Sequence, residues 1–221
     1  EMNRTNGNFR KSFTCCASSI PRGMHVYART MIGHIGGNLI VGSLSPYSAS
    51  LTEQFGGGTV RVESAFPYEG KVTITLSPAR SKSFPVELVI PKNTSFKNVK
   101  VNGKPAEGTK NERGNYEIKA TWKKGDVITL DTRYQLKAHT QRGEDNLAWV
   151  AFTYGPITLA QKTLDLKTAE PFMKFKEKEK TRMVNMLVKS PGSKLAFTVK
   201  GSDITFIPIW ETANELQFGG T

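Results

Sequence analysis

The sequence predicts a mainly β protein led by one helix. Three observations carry this. Apolar residues recur at helical spacing only within residues 17–32. From Asn38 onward the spacing changes to two. Turn signals built from Gly, Pro and Asn-Gly then separate many short strand candidates. So many short strands read as two packed β-sandwiches, or as one sandwich with a β extension.

The helix comes first. Ile20, Met24, Tyr27 and Met31 recur at spacings of three and four and share one face. Ser18 or Ser19 can cap its start, and Pro21 is tolerated in a first turn. Gly33, Gly36 and Gly37 follow as stop signals. The expectation is a helix near residues 18–33 that packs its apolar face on the first sandwich.

The strands follow in order. Alternation marks 59–63 and 71–76, and further candidates are 86–90, 99–101, 116–122 and 127–131. A second set covers 147–154, 157–161, 183–188, 195–199 and 204–209. Asn102-Gly103 predicts a tight type I′ hairpin turn, because both residues accept positive φ. The polar stretch 137–146 is the expected boundary between two units, and the Lys-rich segment 165–181 the expected loop within the second.

Composition bounds the function. The chain has 221 residues, enough for one large or two modest domains. No apolar run approaches the ~20 residues a spanning helix needs. The chain opens on Glu1-Met2 and stays polar to Lys11, so we expect a truncated or processed chain. A net charge of +12 raises nucleic acid as a partner. The charges are scattered, however, and often alternate in sign, as in Lys176-Glu177-Lys178-Glu179. No aromatic RNA-binding motif, zinc-finger spacing or basic helix accompanies them, so specific nucleic-acid binding is not expected.

Cys15 and Cys16 are the only cysteines and are adjacent. A disulfide between neighbours strains the peptide that joins them, and no third cysteine offers a framework. Three readings stay open: half of a zinc centre, a nucleophile, or two buried apolar residues. Their place just before the expected helix favours an ionised thiol, because free N–H groups and the helix dipole stabilise negative charge there. The histidines are His25, His34 and His139. His25, on the helix, is a possible further metal ligand or simply part of a polar face. His34 and His139 read as loop or strand-edge residues. Glu63, Glu69, Glu87 and Asp126 are expected on solvent faces or in turns. Trp122, Trp149 and Trp210 are expected in cores, with sugar stacking as the functional alternative.

Taken in order, several segments resemble a known family. Ser12-Phe13-Thr14-Cys15-Cys16 leads into a helix carrying Tyr27, then Asn38-Leu39-Ile40-Val41 and Ser45-Pro46-Tyr47. Phe66-Pro67-Tyr68, Val86-Glu87-Leu88-Val89-Ile90-Pro91 and Val101-Asn102-Gly103-Lys104-Pro105 come next. Trp122-Lys123-Lys124-Gly125-Asp126, Ala151-Phe152-Thr153-Tyr154-Gly155-Pro156 and Ile204-Thr205-Phe206-Ile207-Pro208-Ile209-Trp210 complete the series. It is similar to the C-terminal portion of glycoside hydrolase family 127, the β-L-arabinofuranosidases. The likeness runs from about residue 9 to residue 218.

The resemblance implies two jelly-roll-like β-sandwich domains behind one helix left from a truncated (α/α)6 barrel. It places a remnant of the catalytic barrel at 1–36, one sandwich at 37–140 and another at 141–221. It implies a retaining zinc–thiolate glycoside hydrolase that releases L-arabinofuranose from plant-type glycans. Cys15 would be the nucleophile and a zinc ligand, and Cys16 a second zinc ligand. The remaining ligands and the acid/base would lie upstream, so the chain alone would be inactive and possess only a partial zinc site. The alternative is a non-catalytic β-sandwich module that binds carbohydrate or serves structure.

Overall fold

The computed structural model describes residues 14–106, 108–142, 148–162, 180–192 and 195–214. It is mainly β. A helix at Thr14–Thr30 leads the chain, starting and ending earlier than the expected 18–33. Pro21 therefore falls in its interior rather than its first turn, where it removes one helical hydrogen bond. Gly33 does not end the helix. The chain turns at Met31, whose carbonyl accepts from the Gly42 and Ser43 amides (2.9 and 3.1 Å) and from the Tyr47 hydroxyl (2.8 Å). The apolar face expected to pack on the first sandwich is open. Met24 is 68% exposed, and Val26 and Tyr27 are more than half exposed. The helix is tied at its C-terminal end instead, where the Tyr27 hydroxyl bonds Ser45 (3.0 Å) and lies 3.2 Å from the Ser43 hydroxyl.

The strands are β1 (Ile32–Ile35), β2 (Asn38–Val41), β3 (Tyr47–Ser50), β4 (Thr59–Ser64), β5 (Lys71–Ser77) and β6 (Lys82–Leu88). Then come β7 (Thr94–Val101), β8 (Lys104–Pro105), β9 (Thr109–Lys110), β10 (Tyr116–Trp122) and β11 (Asp126–Tyr134). The remainder are β12 (Leu136–Arg142), β13 (Ala148–Tyr154), β14 (Ile157–Gln161), β15 (Leu187–Lys189), β16 (Phe197–Val199) and β17 (Thr205–Pro208). They form three sheets, ordered β1-β2-β6-β10-β9, β3-β4-β5-β11-β7-β8 and β12-β13-β14-β17-β16-β15. Only β2 and β6 are described as a parallel pair, with Leu39 opposite Val86. Asn102 (φ 49°) and Gly103 (φ 78°) join β7 to β8 with Val101 opposite Lys104, the two-residue I′ turn that Asn-Gly predicts.

Two segments differ from expectation. Residues 183–188 are not one strand: Lys180–Met186 is a short helix, and β15 follows it. Met183 and Leu187 are both buried, and their spacing of four satisfies a helical turn as well as an alternating strand. The polar stretch expected as a boundary carries β12, which pairs with β13 from Leu136–Tyr154 to Arg142–Ala148. Leu136 and Ala138 of β12 pack against the apolar cluster of the second unit. Of the expected loop 165–181, residues 165–179 lie outside the described residues.

By backbone proximity the chain divides into two units. One comprises Glu1–Glu63, Ile74–Val89 and Ala106–Ile128, the other Ser64–Thr73, Ile90–Pro105 and Thr129–Thr221. In the first, Phe84, Val86 and Leu88 of β6 face inward with Leu39, Val41 and Ile118. Trp122 is fully buried there and donates its indole N–H to the Phe84 carbonyl (2.9 Å), which removes the cost of burying a polar group. In the second unit, Phe152, Ile157, Leu159, Met183, Phe197 and Phe206 head the apolar cluster.

Candidate active site

Cys15 and Cys16 lie in the first turn of the Thr14–Thr30 helix rather than ahead of it. Their side chains are outside what is described. The first turn of a helix holds N–H groups with no intrahelical partner. Two thiolates are the right donor chemistry for zinc, but a closed tetrahedral site takes four ligands. Among the described residues no three His, Cys, Asp or Glu side chains gather as a metal site. His25 is exposed on the helix, and His34 is exposed on β1 with its ring 6.1 Å from that of Phe55. His139 on β12 pairs its Nε2 with the Thr153 hydroxyl (2.9 Å).

Glu87 is a functional-looking residue whose environment the sequence reading misplaced. Glu63 and Glu69 are exposed, and Asp126 opens β11 just after a turn, accepting from the Lys123 amide (2.7 Å). Glu87, by contrast, is fully buried. The alternation of β6 sends Phe84, Val86 and Leu88 to one face and Glu87 to the other. There the turn after β9 folds over it. Arg113 grips the carboxylate with two nitrogens, Nε to Oε2 at 3.3 Å and the terminal NH2 to Oε1. Asn115 Nδ2 bonds Oε2 (3.2 Å), and Asn38 Nδ2 bonds Oε1 (2.6 Å).

Asn38 also reaches Glu117 (3.2 Å), the residue directly opposite Glu87 in the β6–β10 ladder. Like charges in that position would repel. Asn38 bridges them, and Lys119 neutralises Glu117 from the far side (3.1 Å). Burial alone would raise the Glu87 carboxyl. The hydrogen bonds from Arg113, Asn38 and Asn115 outweigh it and hold the pKa near 2, down from 4.5. A carboxylate so fully bonded has no lone pair left for proton transfer, so the arrangement holds the 111–115 turn rather than doing chemistry. The signal that could have exposed it was the turn itself, where Asn111, Arg113 and Asn115 crowd next to a strand.

The second unit holds a cavity of about 340 Å³ lined by Tyr68, Thr132, Tyr134, Tyr154, Arg133 and Lys189 among others. Tyr134, Tyr154 and Phe197 form a run of edge-to-face rings, with centroids 5.3 and 5.0 Å apart. Gly155 makes room for it: its φ is +58°, and a Cβ there would sit 2.6 Å from the Tyr134 ring. The Tyr134 hydroxyl is buried without a hydrogen-bond partner among the described residues, and this burial raises its pKa. Trp210 stands edge-to-face against Tyr68, donating its indole N–H to the Tyr68 hydroxyl (2.7 Å), which in turn donates to Glu211 (3.0 Å). Of the three tryptophans, Trp122 is core, Trp149 has only its backbone described, and Trp210 is 44% exposed.

Residues 46–133 match the family model for the middle domain of GH127 β-L-arabinofuranosidases. No curated protein matches the chain. Among solved structures, a GH127 β-L-arabinofuranosidase from Geobacillus stearothermophilus T6 is similar at 18% identity and a TM-score of 0.55. That likeness covers 67% of this chain and 24% of the other. A second GH127 β-arabinofuranosidase is similar at 18% identity and a TM-score of 0.51, covering 80% of this chain and 33% of its own. This chain thus spans about a quarter to a third of the length of those structures. At that identity the likeness speaks for the fold. The family model speaks for the segment from just ahead of β3 to the end of β11, which includes Glu87 and Arg113. Residues 46–133 match the model of the GH127 middle domain, and the chain is similar in fold to part of two solved GH127 arabinofuranosidases.

Proposed function

We propose that the chain is the C-terminal part of a retaining glycoside hydrolase that releases L-arabinofuranose from glycans, with Cys15 as its nucleophile. The supporting observation is one of placement. The adjacent cysteines occupy the first turn of a helix that runs directly into β1 and β2 and then the matched middle domain. We also propose the division into a barrel remnant at 1–36 and sandwiches at 37–140 and 141–221. The exposure of Met24 and Tyr27 on the expected apolar face supports a helix that packs on residues outside the chain.

In this reading Cys15 Sγ attacks the anomeric carbon while the bond to the leaving oxygen breaks. The electron pair departs with that oxygen, which takes a proton from an acid supplied upstream. Water, losing a proton to the same upstream group now acting as base, then adds to the anomeric carbon as the carbon–sulfur bond breaks and returns the thiolate. Cys15 and Cys16 would hold a zinc ion together with upstream ligands. Such an ion keeps a thiol ionised at neutral pH.

The test uses the 221-residue chain and a version extended upstream. The chain alone should turn over an aryl L-arabinofuranoside at least ~10²-fold more slowly, because leaving-group protonation typically contributes 10²–10⁴. After mild chelation the extended protein should keep stoichiometric zinc and lose it with Cys15→Ser plus Cys16→Ser. Zinc that survives both substitutions would remove the cysteine pair from the site. Rapid turnover by the short chain would overturn the division of roles.

A further inference from the structure

We propose that the cavity of the second unit is a binding site for a carboxylate-bearing sugar, a hexuronic acid unit of a glycan. It is independent of the cysteine pair and of any hydrolysis there. Its size, about 340 Å³, falls at the lower end of small-molecule sites, roughly 300–1,000 Å³. That suits one sugar ring rather than a long chain.

The lining selects the ligand class. Arg133 and Lys189 are both exposed, and neither has an ion-pair partner among the described residues. Among the described residues, no carboxylate lines the cavity. Glu211, beside Tyr68, is already engaged by the Tyr68 hydroxyl. Two free cations around a concave surface favour an anion, and Arg in particular suits a planar carboxylate.

The aromatic residues separate a sugar acid from an inorganic anion. Tyr68 and Tyr154 line the cavity, and aromatic lining suits the apolar C–H face of a sugar ring in a way it does not suit phosphate. The walls are also fixed in advance. Tyr134 is wedged against Gly155, Tyr154 packs edge-to-face on Phe197, and Tyr68 is held between Trp210 and Glu211. A site whose side chains are already ordered costs less entropy on binding. The Thr132 hydroxyl and amide both bond the Gly70 carbonyl (3.2 and 2.7 Å), so the floor is held as well.

The experiment is a calorimetric titration of the 221-residue chain with methyl α-D-galacturonoside, methyl α-D-galactoside and inorganic phosphate, at low salt. The galacturonoside should bind saturably, one per chain, and at least tenfold more tightly than either comparison ligand. Arg133→Gln with Lys189→Gln should weaken it at least tenfold while leaving the circular dichroism spectrum and Tm unchanged. Tyr68→Phe keeps the ring but drops the hydroxyl that Trp210 and Glu211 hold, and should weaken the galacturonoside severalfold. Absence of saturable binding would overturn the proposal. So would equal affinity for the neutral sugar, equal affinity for phosphate, or full affinity in the doubly substituted chain.

Discussion

Glu87 is fully buried and both its oxygens accept hydrogen bonds, from Arg113, Asn38 and Asn115. Arg133 and Lys189 are exposed beside a cavity and have no ion-pair partner among the described residues. Both clusters join charge to an exposed turn or strand end, and a sequence reading cannot rank them. The difference is in how the bonding capacity is used. A buried charge that is fully paired is closed to solvent and ligand, and what it holds is structure. Charges left free around a concave aromatic surface retain their capacity for a partner from outside.

The largest expected effect follows from the closed cluster. Glu87→Ala leaves Arg113 and two asparagine amides facing an apolar void. It should destabilise the chain by about 3 kcal/mol, the low end for breaking a buried pair, because Arg113 remains half exposed. Glu87→Gln keeps the shape and several hydrogen bonds and should cost less, about 1–2 kcal/mol. Urea unfolding measures both. A loss below ~0.5 kcal/mol for Glu87→Ala would place Glu87 with the surface carboxylates after all.

Acid provides a second probe of the same residue. The folded carboxyl titrates near 2 and the reference value is 4.5, so the unfolded chain binds more protons between those pH values. The contribution of Glu87 is therefore fully present above about pH 4.5 and is lost as pH falls toward 2. The stability difference between the wild-type chain and Glu87→Gln, about 1–2 kcal/mol at neutral pH, should shrink toward zero across that window. A difference that stays constant from pH 5 to pH 2.5 would mean that the carboxylate is not held down in the folded state.

Much of the fold was legible because its local signals agree with its tertiary setting. Val72, Ile74 and Leu76 alternate inward along β5 as their spacing requires, and Asn102-Gly103 makes the turn its φ angles allow. The helix was legible as a helix, but its environment was not: spacing defines a face without supplying a partner for Met24. Met183 and Leu187 fit two periods at once, so the short helix was read as a strand. Glu87 was hidden for a different reason. Its partners are separated from it by 26 to 49 positions, and only the pairing of β2 with β6 and the turn after β9 bring them together. For the cysteine pair, neighbouring sequence gave the helix, while side-chain geometry lies outside the described residues.

The smallest expected effect is the sharpest test of the comparison. Arg133→Gln and Lys189→Gln, together, should change stability by no more than ~0.5 kcal/mol, since exposed unpaired charges contribute little to folding. In a chain of net charge +12, removing two positive charges even relieves some self-repulsion, so the sign should be neutral to slightly stabilising at low salt. Adding salt should erase that gain, because screening already weakens repulsion between exposed charges. A loss approaching that of Glu87→Ala would show that these cations hold hidden partners and belong to the closed class. A neutral result in unfolding, beside a tenfold loss in galacturonoside binding, separates the two uses of charge within one chain.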